Sequence, residues 1–194
     1  MRRRNRKNSL PAPLEQGDCD GLCGMYTVIN AIRLALHPVG GLSEAQEQAL
    51  QFVLIQSAQA NWSFSRMFAH GVSTAQLIRL MRIGMKFTRE MTGKSLRFSN
   101  TRCRELIYRR CGLKTVLAKL TQTPNPIVIV GIAGKMDHWS IITRLTAHHI
   151  VFHDSNRTHR LALRHCKLGR WPRPKAKPRY WITLHGTVTL SPAE

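Results

Sequence analysis

The spacing of apolar residues in the first half of the chain predicts helices. From Cys23 onward the apolar side chains recur every three or four positions, at Met25, Val28, Ile29, Ile32 and Leu36. This spacing is typical of a helix that buries one face against a core. The His37-Pro38 pair and the glycines after it are expected to end the helix.

Three more helices are predicted before residue 112, over residues 43–59, 73–87 and 100–111. The first begins with Ser43 and has Gln46 three positions later, which is the spacing of a capping box. The second opens at Ser73-Thr74, where either hydroxyl can cap the helix. The third is short and basic, and it is expected to end at Gly112.

The period of the pattern changes after Gly112. Short runs of β-branched and aromatic residues predict strands over Leu113–Leu120, Ile127–Ile132, Trp139–Leu145, His149–His153 and Tyr180–Leu190. Residues 170–179 read as a basic loop that is interrupted by prolines. Because helices come first and strands follow, the sequence favours an α+β fold, with N-terminal helices packed on a C-terminal antiparallel sheet.

Length and composition indicate one domain. The chain has 194 residues and 43% of them are hydrophobic, which is enough for a single core. We predict a disordered basic arm over residues 1–13 and one folded domain over residues 14–194. No apolar run approaches the roughly 20 residues that span a membrane. The basic arm is followed by no apolar stretch, and the cysteines form no disulfide framework, so we expect a cytoplasmic protein.

The charge of the chain is strongly positive. Thirty lysines and arginines stand against ten acidic residues, for a net charge of +20. Beyond the arm, the basic residues concentrate in two blocks, 79–110 and 157–179. Such a field attracts polyanions, so nucleic acid and acidic proteins are both candidate partners. Half of the acids lie near the residues of chemical interest, at Glu15, Asp18, Asp20, Asp137 and Asp154.

The stretch LEQGDCDGLCGMY contains polar groups that a buried helix does not need. A helix N-terminus and an adjacent imidazolium each lower the pKa of a thiol and turn it into a nucleophile. Cys23, at the start of the first helix, meets the first condition. His138, at the entrance of a predicted strand, is the candidate for the second and for the general base.

Two further groups complete a catalytic arrangement. Asp154 follows the next strand, and if the two strands form a hairpin it lies beside His138 and can orient the imidazole. The backbone N–H of Cys23 and the side-chain amide of Gln16 are candidate donors to a developing oxyanion.

These residues carry a family resemblance. The pattern Q-G-x-C-x-G-x-C-G at the start of a helix, then D-H-W before a strand and D-S after the next, resembles the papain-like cysteine peptidase superfamily. It differs from papain in having one more residue between the cysteines and Gly24 after the second, and so it looks more like compact bacterial-style and ubiquitin-like-protein peptidases. The resemblance implies a papain-like fold with Cys23 as nucleophile on the first core helix, His138 as base, Asp154 as orienter and Gln16 in the oxyanion hole.

The expected function is thiol-dependent acyl transfer, first of all hydrolysis of peptide or isopeptide bonds in a protein or peptide substrate, with acidic substrates and nucleic acid both open as the partners of the basic surface. No cofactor or metal is expected. Transglutaminase or deamidase chemistry on Gln side chains uses the same order of Cys, His and Asp and stays open. A third reading is a basic nucleic-acid-binding protein without catalysis.

Other residues compete with this interpretation. Cys19 is a second candidate nucleophile, although its C-x-x-x-C spacing with Cys23 is a weak metal or redox signal. Five histidines crowd residues 148–165, but His149 and His153 lie ~13 Å apart on one strand, too far for one ion. An aromatic cluster, Trp62, Phe64 and Phe68, is predicted to belong to the core.

Overall fold

Most helices precede residue 93 and most strands follow residue 127 in the computed structural model, which describes residues 10–16, 21–100, 112–122, 127–169 and 180–190. The α+β class predicted from the sequence is therefore confirmed. Within these ranges the α-helices are α1 (Cys23–Leu36), α2 (Glu44–Asn61), α3 (Phe64–His70), α4 (Thr74–Thr92) and α5 (Leu113–Leu120). Short 3-10 turns follow α1 at His37–Val39 and precede β6 at Leu163–His165.

The helix starts agree with the sequence signals. α1 begins at Cys23, as predicted. Ser43 and Ser73 both form complete capping boxes, in which the serine hydroxyl accepts from the third residue and that residue's glutamine accepts from the serine N–H. α4 runs five residues beyond the predicted Phe87. Gly93 then ends it in the left-handed conformation, with φ of 69°.

One predicted strand is wrong. Residues Leu113–Leu120 form α5. Leu113, Val116 and Leu117 are buried on one side of it while Lys114 and Lys119 are exposed. Apolar residues at positions one, four and five satisfy a helical period better than an alternating one, so amphipathic burial outweighs the strand preference of Val116.

Within the part of the chain that the structure describes, the strands form one seven-stranded sheet in the order β1-β7-β2-β3-β4-β5, with β6 beside β7. They are β1 (Leu96–Asn100), β2 (Val128–Gly134), β3 (His138–Leu145), β4 (His149–His153), β5 (Arg160–Ala162), β6 (Cys166–Leu168) and β7 (Tyr180–Leu190). All pairs are antiparallel except β6 with β7, which is parallel. The other four predicted strands correspond to β2, β3, β4 and β7.

The sheet is covered on both faces. Ile129 of β2 packs with α1, α2 and α4 in one apolar cluster. Its neighbours Val128 and Val130 belong to a second cluster with α5. A strand buried on both faces reads as a continuous apolar run, and this explains why residues 127–132 show no alternation.

Some elements were not predicted or lie outside the described residues. α3, β1, β5 and β6 have no counterpart in the sequence reading. The predicted basic helix over 100–111 and the predicted loop over 170–179 lie outside the described residues, except that Asn100 is the last residue of β1. No helix in the described ranges has both the length and the apolar character to cross a bilayer.

The end of the predicted arm contacts α1. Residues 1–9 are not described, but the carbonyl oxygen of Ala12 accepts a hydrogen bond of 2.7 Å from the Arg33 guanidinium. The same guanidinium forms an ion pair of 2.6 Å with Glu47 of α2. The segment 10–16 is therefore attached to the helical layer at Ala12.

The aromatic cluster is only partly core. Trp62 and Phe64 are partly buried against the helical cluster. Phe68 is 42% exposed on α3, so its assignment to the core is wrong. α3 turns its buried Met67 inward, and Phe68, one residue later, must face away from it.

Candidate active site

Cys23 is the first residue of α1, a helix buried along most of its length. Its side chain is 6% exposed, and its Sγ lies 4.0 Å from the carbonyl oxygen of Gly21. The N-cap residue, Leu22, has no polar side chain to accept from the N–H groups of the first turn. The thiol is thus held beside the positive end of the helix dipole.

Two glycines beside Cys23 allow neighbouring backbone to approach. The N–H of Gly21 donates to the carbonyl oxygen of Phe68 at 2.7 Å, and a Cβ on Gly21 would lie 2.6 Å from that same oxygen. A Cβ on Gly24 would overlap a methyl group of Val72. The start of α1 is therefore packed directly under the connection between α3 and α4.

His138 and Asp154 are in direct contact. The Nε2 atom of His138 lies 2.8 Å from Oδ2 of Asp154, and both side chains are buried. β3 and β4 are antiparallel neighbours with Ile141 opposite His153. The hairpin predicted from the sequence is confirmed, and it brings the start of β3 beside the residue that follows β4.

The second carboxylate oxygen of Asp154 serves the turn after β4. Oδ1 accepts from the backbone N–H groups of Asn156 at 2.8 Å and Thr158 at 3.2 Å. Asp154 therefore stabilises the turn and contacts the imidazole at the same time. Because the turn fixes the carboxylate, Asp154 can in turn fix the orientation of the His138 ring.

The surroundings of His138 favour its protonated form. Burial lowers the pKa of the imidazole, but hydrogen bonding and charge from Asp154 and then from Cys23 outweigh it and raise this pKa to about 9. Cys23, at the start of α1, and His138, at the start of β3, line the same cavity.

The pKa of Asp154 is shifted in the opposite direction. Burial raises it, but the hydrogen bond and positive charge of His138 dominate and lower it below the usual value of 3.8. The Ser140 side chain and the Asn156 N–H lower it further. Asp154 is therefore a carboxylate at neutral pH, and so an acceptor for the His138 Nε2–H.

Gln16 is fixed to the residue after Asp154. Its backbone N–H donates to the carbonyl oxygen of Ser155 at 3.0 Å, and the Ser155 hydroxyl donates to the Gln16 Oε1 at 3.2 Å. Ser155 is buried, so this pair is shielded from water. With Oε1 turned toward Ser155, the Nε2 group of the amide points to the other side.

The segment before Gln16 is tied to α1. The Asn30 amide bonds both backbone groups of Leu14, accepting from the N–H at 2.8 Å and donating to the carbonyl oxygen at 3.1 Å. Glu15 forms an ion pair with Arg157 at 2.8 Å on the surface. Gln16 is thereby positioned from the helical side and from the loop after β4.

Gln16, Cys23 and His138 line one cavity of about 330 Å³. Asp154 lies behind His138 and does not reach this cavity. Its other lining residues are Gly21, Ala69, His70, Gly71, Val72, Met136, Asp137, Trp139 and Asn156. Three of the four predicted site residues thus face a common space, and the fourth supports the imidazole from outside it.

Trp139 and Ser155 are parts of the site that the sequence reasoning did not identify. The indole N–H of Trp139 donates to the carbonyl oxygen of Val72 at 2.9 Å and attaches the α3–α4 connection to β3. Its ring meets the His185 ring edge-on at 4.5 Å. Trp139 directly follows His138 in the D-H-W motif, and adjacency to a candidate base is the signal that could have marked it.

The competing residues have other surroundings. Cys19, Cys103 and Cys111 lie outside the described residues. Cys166 is buried in the second apolar cluster, where burial raises the pKa of its thiol to about 11. A thiol with so high a pKa is a poor nucleophile at neutral pH, and because Cys166 is 8% exposed against 6% for Cys23, it can serve as a control of similar burial.

The histidines that are close together in the sequence between residues 148 and 165 do not share one environment in the fold. His148 and His149 line a separate cavity of about 410 Å³ with Lys114 and Arg164. His153 is buried, and burial together with the nearby charge of Arg33 lowers its pKa to about 4. Among the residues that the structure describes, no three His, Cys, Asp or Glu side chains are grouped as a metal site.

Comparison with protein-family models, curated proteins and solved structures found no significant match to this chain.

Proposed function

We propose that the protein is a papain-like cysteine hydrolase that cleaves peptide or isopeptide bonds. The observation that carries the proposal is the shared cavity, which brings together a thiol at a helix N-terminus, an imidazole and an amide. The imidazole is backed by a buried carboxylate at 2.8 Å. A core cysteine needs none of these neighbours, whereas covalent catalysis by a thiol needs all of them.

The first half of the reaction forms a thioester. With Nε2–H donated to Asp154, the Nδ1 atom of His138 is the ring nitrogen that holds the proton given up by Cys23, so the proposed resting pair is a thiolate and an imidazolium. The thiolate sulfur bonds to the substrate carbonyl carbon, and the carbonyl oxygen becomes an oxyanion. The Cys23 N–H and the Gln16 amide are the proposed donors to that oxyanion. Nδ1–H then protonates the leaving amine as the C–N bond breaks.

The second half regenerates the thiol. Water attacks the thioester carbon while the Nδ1 atom of His138 accepts its proton. The C–S bond breaks, the carboxylic acid product leaves, and the proton on His138 returns to the Cys23 sulfur. An amine in place of water gives transamidation, and a Gln side chain as the acyl donor gives deamidation, by the same steps. Hydrolysis is the first proposal because water needs no second binding site.

A papain-like arrangement is part of the same proposal. It is supported by the order of the elements, in which the thiol begins the first buried helix and the imidazole and carboxylate come from adjacent strands. The two sides of the cavity are then contributed by the helical layer and by the sheet.

The proposal is tested by alkylating the native protein with iodoacetamide and reading each cysteine by mass spectrometry. At pH 7 we expect Cys23 to react at least about ten times faster than Cys166, the equally buried control. His138→Ala should lower the alkylation rate of Cys23 by about tenfold or more and leave that of Cys166 unchanged. Because the pKa of His138 is about 9, the difference between wild type and variant should shrink above that pH.

Activity is measured in parallel on a peptide library. Wild-type protein should release fragments, and Cys23→Ala should release none while it unfolds at the same urea concentration. The proposal is contradicted if Cys23 and Cys166 are alkylated at equal rates, or if His138→Ala leaves the alkylation rate of Cys23 unchanged.

A second candidate function, nucleic-acid binding, is favoured by one observation. The exposed face of α4 carries four cations at helical spacing, Arg79, Arg82, Lys86 and Arg89, in a chain of net charge +20. Binding of this kind depends on counterion release, so its affinity for duplex DNA should fall steeply between 50 and 200 mM salt. Intact binding by Cys23→Ala together with no cleavage of any peptide would favour this alternative.

A further inference from the structure

A larger groove lies next to the candidate active-site cavity. It has a volume of about 680 Å³ and is formed by the end of α2, by α3 and by the first turn of α4. We call it the α3–α4 groove. Its lining residues are Trp62, Ser63, Arg66, Met67, His70, Gly71, Val72, Ser73, Ala75 and Gln76. His70, Gly71 and Val72 also line the cavity that contains Cys23, so the two spaces share one wall.

The charged and polar groups of the groove favour an anion. Arg66 and His70 are four residues apart on α3, so their side chains lie on the same side of that helix. No carboxylate is among the lining residues. Arg66 also forms no ion pair with any described carboxylate, whereas Arg33 and Arg157 each do. The Arg66 charge is therefore not neutralised within the described part of the chain.

Two further features add positive charge to the α3–α4 groove and shape its wall. The first turn of α4 faces the groove through Ser73, Ala75 and Gln76, and the N-terminus of a 19-residue helix carries a partial positive charge. The Arg79 guanidinium lies over the Trp62 ring, 5.5 Å from its centroid, and places a second cation at the edge of the groove. Trp62 supplies an apolar wall for the methylene groups of a side chain.

We propose that the α3–α4 groove is a specificity subsite that receives an acidic side chain of the substrate, next to the bond under attack. Arg66 pairs with the carboxylate of that side chain, and Trp62 contacts its methylene groups. The inference rests on the proposed function and deepens it. It names acidic peptides as the substrate class and the α3–α4 groove as the site that binds the acidic side chain.

The test uses full-length protein and a library of octapeptides randomised at every position, with cleavage read by mass spectrometry. We expect Asp or Glu to be enriched about tenfold over Asn or Gln at one position near the cleaved bond. Arg66→Glu should abolish that enrichment. Arg82→Glu makes the same charge change on α4 outside the groove, and it should retain the enrichment. Raising the salt should weaken the enrichment in wild type.

Binding is measured separately with Cys23→Ala, using a fluorescein-labelled Glu-containing octapeptide and its Gln counterpart. Discrimination between these peptides that is lost in Arg66→Glu supports the subsite even if no peptide is cleaved, and in that case the hydrolase proposal alone fails. Cleavage without a preference for acids overturns the subsite and leaves the hydrolase standing. A preference that Arg66→Glu and Arg82→Glu reduce equally also overturns it, because overall charge then explains the effect. Loss of both cleavage and discrimination overturns both proposals.

Discussion

Asp154 and Ser155 are neighbours in the chain, and each supports a different part of the candidate site. Asp154 bonds the His138 ring, and Ser155 bonds Gln16 through both its carbonyl and its hydroxyl oxygen. The proposed base and the proposed oxyanion donor are therefore positioned by one dipeptide. A small displacement of the turn after β4 would move both groups together.

The role of Ser155 can be measured. If its hydroxyl orients the Gln16 amide, Ser155→Ala should lower kcat about tenfold and change KM less than about twofold, since only stabilisation of the transition state is lost. The measurement is steady-state cleavage of a peptide that the library identifies.

A double-mutant cycle separates positioning from a direct effect. Gln16→Ala and the double variant Gln16→Ala/Ser155→Ala should have the same kcat, because Ser155 has nothing left to orient. If the two losses in log kcat add fully, Ser155 acts by another route and the positioning role is wrong.

The residues of the candidate site differ in how far the sequence could identify them. Cys23, His138 and Asp154 each stand at the boundary of an element, where the change of pattern from loop to helix or strand marks them. The contact between Ser155 and Gln16 joins residues 139 positions apart. No local pattern reports such a contact, because it follows from how the segment before α1 packs against the loop after β4.

At the scale of elements, the connection between α3 and α4 determines the shape of the site. It packs on the start of α1 through Val72, is attached to β3 by the Trp139 indole, and separates the candidate active-site cavity from the α3–α4 groove. The absence of a side chain at Gly24 is what allows this close packing.

Gly24→Ala should therefore be costly. Its Cβ would overlap the stiff, β-branched Val72 and lie 3.2 Å from the Trp139 ring. We expect a loss of about 1–3 kcal/mol in the free energy of unfolding, measured in urea, together with an altered alkylation rate at Cys23.

Gly84→Ala is the matched control within a helix. There the one close contact of the new Cβ would be the terminal methyl group of Ile32 at 2.8 Å, which a small rotamer change relieves, while Leu50 and Val28 lie at an ordinary 3.5 Å. Alanine also favours the helix by about 1 kcal/mol, so this variant should be close to wild type in stability. Equal destabilisation by the two substitutions would show that Gly24 has no special packing role.

The element-scale errors have physical causes. α5 was read as a strand because Val116 and its neighbours prefer strands, but its amphipathic burial on the far face of the sheet decides the outcome. α3 was missed because seven residues are too few for a clear period, and a helix that short is stable only through its packing. The two helix starts at Ser43 and Ser73 were predicted correctly because all groups of a capping box lie within four consecutive residues.

At the scale of the whole molecule, two buried histidines act on stability in opposite directions. His138 has its pKa raised to about 9, so its contribution is fully present below pH 6.5 and is lost as the pH rises through 9. His153 has its pKa lowered to about 4, so the unfolded chain binds its proton first and stability falls as the pH drops from 6.5 through 4. Asp154, whose pKa is lowered, adds a further loss below pH 3.8.

We therefore expect maximal stability near pH 6.5. Urea unfolding between pH 4 and 9 should show this maximum, with an acid-side loss of roughly 2–3 kcal/mol from His153. His153→Gln removes the titrating group and should flatten the acid side while leaving the alkaline side unchanged. An unaltered acid slope in that variant would assign the loss to other groups.

The position of β7 in the sheet bears on how the protein is made. β7 lies between β1 and β2 and also pairs with β6, yet all three partners precede it in the chain. During synthesis, Cys23, His138 and Asp154 therefore leave the ribosome before β7, the strand that joins β1 to the rest of the sheet. Until β7 emerges, the apolar strand β2 lacks a neighbour on one edge, and such edges recruit other chains. Nascent chains that stop short of residue 180 should thus depend on chaperones, even though they already contain every proposed catalytic group.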